Sequence, residues 1–132
     1  MVFSLKLLIS VLCAVGLWAS VFMSRKALRD ARGELAEPSV VQQPPARLFF
    51  GVPNAFVGVA YYAALVCAVW LGPGPAWAPV LAAAALAAAA SAYLAFSLTF
   101  VTRMSCRYCW SAHVANWLIA SALVVLHKLT LS

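Results

Sequence analysis

Four long apolar runs, at residues 3–23, 52–71, 80–102 and 105–127, leave this chain little choice of fold class. Each is close to the roughly 20 residues that a helix needs to cross a hydrocarbon layer about 30 Å thick. A bilayer offers the backbone no hydrogen-bonding partner, so such a run folds as a helix, which pairs its own N–H and C=O groups. Composition agrees: 66% of residues are hydrophobic, 9% are charged and the mean hydropathy is +0.97, far from a soluble globular domain. The expectation is an all-α, multi-pass integral membrane protein: a four-transmembrane-helix bundle that occupies residues 1–132 as a single domain in the lipid bilayer.

The first run has a rival reading as a cleaved signal peptide, because Lys6 supplies a basic start and Ala19-Ser20 are small. Arg25 and Lys26 follow at once as a stop-transfer flank, so a retained span is expected. The hydrophilic connection 24–47 holds Arg25, Lys26, Arg29, Asp30, Arg32, Glu34, Glu37 and Arg47. Within it, Ala27, Leu28, Ala31 and Leu35 recur at helical spacing, so its first part reads as a surface helix or an extension of the first span, ending near Pro38. The remainder is either a plain solvated link or a flap over a site at that membrane face. Leu48-Phe49-Phe50 would anchor the returning chain at the interface.

Pro53 suits the first turn of the second span, where its missing N–H costs nothing. Asn54 beside it either satisfies nearby backbone or donates to a ligand carbonyl. Gly58 permits close helix approach, while Tyr61 and Tyr62 add bulk. Residues 72–79 read as a tight uncharged turn, with Trp70 and Trp77 in an interfacial belt. The alanine-rich run 82–90 reads as a packing face, and Ser91, Tyr93 and Ser97 as packing residues, with lining of an interior as the alternative.

The chemistry-bearing stretch is Cys106-Arg107-Tyr108-Cys109 at the start of the last run. Two cysteines at this spacing close a readily exchanged disulfide, and a helix N-terminus stabilises the thiolate released when it opens. Half of a zinc site and a purely structural pair are the competing readings. At about 100° per residue, Cys106, Cys109, His113 and Asn116 fall within an arc of roughly 80°, on one helix face. Cys13 and Cys67 lie inside predicted spans, where thiols usually serve packing.

The net charge of +6 does not indicate nucleic-acid binding, because five of the nine Lys and Arg lie in the one connection. They set topology instead. Only Lys6 and Lys128 lie on the membrane face that holds both termini, whereas Arg25, Lys26, Arg29, Arg32, Arg47, Arg103 and Arg107 lie on the face with the CxxC. The positive-inside rule then places the CxxC in the cytoplasm, with the extracytoplasmic face as the alternative.

Pro53-Asn54-Ala55-Phe56-Val57-Gly58-Val59-Ala60-Tyr61-Tyr62, Ser91-Ala92-Tyr93-Leu94-Ala95-Phe96 and Cys106-Arg107-Tyr108-Cys109 with Asn116 resemble, in order and spacing, the vitamin K epoxide reductase family. The resemblance covers about residues 48–126, and the first span fits by position only. It implies a helical bundle enclosing a quinone pocket, and a thiol oxidoreductase that passes electrons from a thioredoxin-like partner through the CxxC to a quinone of the ubiquinone or menaquinone type, promoting disulfide formation. By the same resemblance Cys109 faces the quinone, Cys106 exchanges disulfides with the donor, and Asn54 hydrogen-bonds a quinone oxygen. His113 stands where some relatives carry tyrosine, as a proton donor, and Asn116 completes the cofactor-binding set.

Two departures qualify the resemblance. Relatives usually carry a second cysteine pair in the first connection, and residues 24–47 contain no cysteine. The expected donor is therefore a separate thiol protein that attacks Cys106 directly. Most relatives also present the dithiol to the oxidising side of the membrane, against the charge count here. The function of a different class that remains is a small metal-binding or metal-transporting membrane protein using Cys106, Cys109 and His113. That set gives three ligands, one short of a closed zinc site.

Overall fold

The computed structural model describes residues 1–35, 39–42, 44–47, 51–72, 77–104 and 106–131. Four helices dominate: α1 (Val2–Ala31), α2 (Asn54–Leu71), α3 (Trp77–Phe96) and α4 (Arg107–Leu131). Each is long and apolar enough to cross a membrane, α3 together with the π-helical turn Ser97–Val101 that continues it. Two short 3₁₀ turns, Val40–Gln42 and Pro44–Arg47, lie in the connection.

α1 runs straight on past the first apolar run, so the helical spacing in the connection belongs to an extension of the span. It stops well before Pro38, which lies outside the described residues. Gly33 takes a left-handed φ of 71°, its N–H donates to Asp30 O and the Glu34 N–H donates to Arg29 O, both at 2.9 Å. This paired closure satisfies the last carbonyls of the helix and suits glycine, which has no Cβ to clash.

α1 packs against both α2 and α4, and α3 packs against α4. Among the described residues, α2 and α3 make no comparable contact with each other, although they are neighbours in sequence. Small residues set the close approaches. A Cβ at Gly58 would lie 2.5 Å from Ser20 Oγ, and one at Gly16 would fall on the Tyr62 ring. Lipid tails are as apolar as leucine, so such intimate packing is what holds membrane helices together.

One core cluster, including Ile9, Cys13, Leu65, Val69, Ile119, Leu123 and Leu126, fills the half of the bundle nearer the termini. A smaller one, Met23, Ala27 and Val41 with Cys106, Tyr108 and Cys109 against it, sits at the other end. Trp70 has the character of an interfacial residue, half-exposed with Lys6 Nζ 5.8 Å from its ring and its Nε1–H donating to Ser10 Oγ at 2.9 Å. Trp77 instead belongs to the core, its ring 6.3 Å from that of His127. Tyr93 is neither core nor lining; it is exposed on the lipid-facing side of α3. Leu48-Phe49-Phe50 and residues 73–76 of the uncharged turn lie outside the described residues.

Candidate active site at the cysteine end of the bundle

Cys106 immediately precedes α4 and Cys109 lies in its first turn, which brings their Cα atoms to 5.3 Å and joins their sulfurs in a disulfide. The Cys109 N–H donates to Cys106 Sγ at 3.2 Å. Cys106 thus occupies the capping place at a helix N-terminus, with one of the otherwise unpaired N–H groups directed at its sulfur.

Two local features present this pair. The π-helical turn Ser97–Val101 ends α3 with the Thr102 N–H donating to Ser97 O at 2.8 Å, and Arg103 then takes a left-handed φ of 52°. The chain so reverses within a few residues. Tyr108, between the cysteines, stacks on Phe22 of α1 with ring centroids 3.9 Å apart, and Trp18 lies 5.1 Å from it. These rings pin the start of α4 to α1.

Below the pair is a cavity of about 650 Å³, lined by all four helices and by Val41 and Pro45 of the connection. Cys109 is in its wall; Cys106 is not. The wall is largely alanine, glycine and aliphatic, with Ala83, Ala87 and Ala90 from α3, so the alanine run shapes a cavity as well as a packing face. Val41 and Pro45 so bring the connection against the cavity, and it is fastened to the helices by Gln42 Nε2 donating to Asp30 Oδ1 at 2.8 Å and Asn54 Nδ2 donating to Pro45 O at 2.7 Å.

His113 and Asn116 line the same cavity as Cys109 and Asn54. His113 is buried, with Trp110 and Trp117 rings 6.1 and 6.5 Å away, and its Nδ1 has no partner. Asn116 is held on both sides: Tyr62 Oη donates to its Oδ1 at 2.5 Å, and its Nδ2 donates to Ser91 Oγ at 2.6 Å. This chain of bonds links α2, α4 and α3 across the bundle.

Sequence reasoning passed over Tyr61 and Tyr62 as bulk, yet both line the cavity, and Ser91 and Ser97 line it too, the alternative reading of those serines. The available signal was that hydroxyls inside a span need a partner that lipid cannot supply. Cys13 is buried in the core and Cys67 is exposed on α2. Among the described residues, no group of three or more His, Cys, Asp and Glu side chains is placed to hold a metal ion.

A membrane-spanning helical bundle with a CxxC disulfide at the edge of an apolar cavity has the construction of a membrane thiol-disulfide oxidoreductase. Residues 7–124 match the profile of the Vitamin K epoxide reductase family, and the chain belongs to that family. The match starts within α1, so it takes in the span that the motifs alone aligned only by position. No curated protein matches the chain.

Proposed function

We propose that the protein oxidises the dithiol of a separate thioredoxin-like protein and passes the electrons through Cys106 and Cys109 to a quinone, thereby promoting disulfide formation. The observation that carries this reading is the asymmetry of the pair: Cys109 is in the cavity wall and Cys106 stands outside it. One sulfur thus meets the acceptor and the other meets the donor.

A partner thiolate attacks Cys106 Sγ, the bond to Cys109 breaks, and the electron pair leaves on Cys109 Sγ. The partner's second thiol then attacks its own sulfur in the mixed disulfide and expels the Cys106 thiolate. The N–H directed at Cys106 Sγ and the helix dipole stabilise that leaving thiolate. When Cys106 and Cys109 rejoin, they release two electrons and two protons. A bound quinone, of the ubiquinone or menaquinone type, supplies the acceptor for them, so a partner dithiol and a quinone become a partner disulfide and a quinol. Thioredoxin-like dithiols lie at roughly −120 to −270 mV, so a more oxidising acceptor draws electrons in this direction.

The cavity fits such a ring. Its size falls within the roughly 300–1,000 Å³ of small-molecule sites, and its wall is largely apolar. Leu86 of α3 is both part of the wall and 72% exposed, which favours access for a lipid-soluble molecule from the side of the bundle. His113 is placed to hold a proton beside Cys109, one helical turn away. Asn54 and Asn116 shape the two ends of the site through their bonds to Pro45, Tyr62 and Ser91.

The test is quinone reduction by purified protein supplied with dithiothreitol. Cys109→Ser is expected to reduce it to background, because no disulfide can form to pass electrons on; unchanged turnover in that variant would overturn the reading. For orientation, the count of seven basic residues against two favours a cytoplasmic CxxC. Labelling of reduced Cys106 by a membrane-impermeant thiol reagent in intact cells would reverse that assignment.

A further inference from the structure

Cys106, half-buried and outside the cavity wall, is bordered by positive charge. Arg107 follows it directly, with its guanidinium carbon 6.0 Å from the Tyr108 ring, and Arg103 stands just before it; both are exposed. α1 supplies two more. Trp18 and Phe22, which hold the Tyr108 ring, fall with Arg25 and Arg29 inside an arc of about 60° around that helix. Arg25 and Arg29 stand roughly 4.5 and 10.5 Å beyond Phe22, on the part of α1 that outruns the apolar run, and both are exposed. Helical side chains lean back toward the N-terminus, which here is toward the CxxC. Met23 and Ala27, on the inner side of the same turns, are buried in the cluster against which Cys106, Tyr108 and Cys109 pack, so this stretch of α1 is fixed beside the disulfide.

None of these four arginines makes an ion pair with a described residue. The acidic side chains of the α1 end are engaged elsewhere: Glu34 lies 3.6 Å from Arg32, and Asp30 accepts a hydrogen bond from Gln42. Topology requires basic residues near the span ends, but it does not require them in line with the ring held between two cysteines. We infer that Arg25, Arg29, Arg103 and Arg107 form a docking surface beside Cys106 for an electron-donor protein whose dithiol lies in acidic surroundings. This rests on the proposed electron route and deepens it by assigning the donor a charge. The attacking group of the donor is a thiolate, so the same positive field draws in both the protein and its reacting sulfur. A dithiol in basic surroundings meets repulsion instead.

The probes are two reduced peptides that each carry a Cys-x-x-Cys, one flanked by glutamates and the other by lysines, oxidised by purified protein with a short-chain ubiquinone analogue as acceptor. An uncharged detergent removes topology and anionic lipid from the measurement. The kcat/KM for the glutamate peptide is expected to fall roughly tenfold from low salt to about 0.5 M, where charges are screened beyond a few ångströms. The double variant Arg25→Gln, Arg29→Gln should lose a comparable factor with that peptide at low salt, gain or hold with the lysine peptide, and oxidise uncharged dithiothreitol at the wild-type rate. Arg25→Lys, Arg29→Lys should restore the glutamate peptide, since charge is the property invoked. An equal response of both peptides to the glutamine substitutions would overturn the assignment, and so would no response in detergent, which would leave these arginines to lipid headgroups or topology alone. Failure of the wild type to oxidise dithiothreitol would instead sink the electron route itself.

Discussion

The two halves of the bundle are built on opposite terms. Toward the termini, Ile9, Val69, Ile119, Leu123 and Leu126 are fully buried and fill the space between helices. Toward the CxxC, many inward positions are small, among them Ala19, Ser20, Gly58, Ala87, Ala90 and Ala112, and the space between them and larger wall residues such as Tyr62, Leu94 and Leu98 stays open as the cavity. Small side chains on the same helices thus leave this end unfilled. The difference teaches that the filled half supports the bundle while the open half leaves the space that the proposed quinone would occupy, with the Tyr62–Asn116–Ser91 bonds at the boundary between them.

The largest effect should come from the filled half. Leu123→Ala leaves a void whose cost, without the water-transfer term that soluble cores add, is about 2 kcal/mol. Thermal unfolding in detergent should show the loss, with quinone affinity unchanged; a change in affinity would mean the halves are coupled. At the boundary, Tyr62→Phe strips Asn116 Oδ1 of its donor and is expected to cost about 1–2 kcal/mol. Both melting temperature and quinone affinity should fall, since this bond ties α2 to the cavity floor.

In the open half the expectation reverses. Ala112→Leu puts bulk into the cavity, so quinone binding measured by fluorescence quenching should weaken about tenfold with little change in melting temperature. Equal loss of stability would show that this region is packed rather than reserved. The smallest effect is at the rim: Arg103→Gly relieves a left-handed backbone at a non-glycine residue and should stabilise the protein by about 0.5–1 kcal/mol. A melting curve checks it, and a destabilisation would show that the arginine side chain outweighs the backbone strain.

Much of the site was readable from spacing. Cys109, His113 and Asn116 line the cavity together as helical periodicity requires, while Cys106, just before α4, is bonded to Cys109 but lies outside the wall. What spacing left open was the partner of each group. Asn54 and Asn116 were legible as polar groups in an apolar setting, but their amides bond to Pro45, Tyr62 and Ser91, contacts that depend on which helices are neighbours. Trp77 misled because a tryptophan at a helix end suits an interface as well as a core; its place beside His127 in the filled cluster decided for the core. Tyr61 and Tyr62 were indistinguishable in sequence, and only the arrangement of α4 separates the bonded hydroxyl from the unbonded one.

By itself, then, the amino-acid order determined four membrane-crossing helices and a dithiol at the head of the last, because lipid forces backbone groups to pair within each run and the cysteine spacing matches one helical turn. The tertiary structure decided that α2 packs chiefly on α1 and α3 on α4, that Cys109 rather than Cys106 meets the cavity, and that Tyr62 rather than Tyr61 bonds across to Asn116. Those outcomes follow from which small residues let which helices approach, and that is a property of pairs of surfaces that no single run of sequence contains.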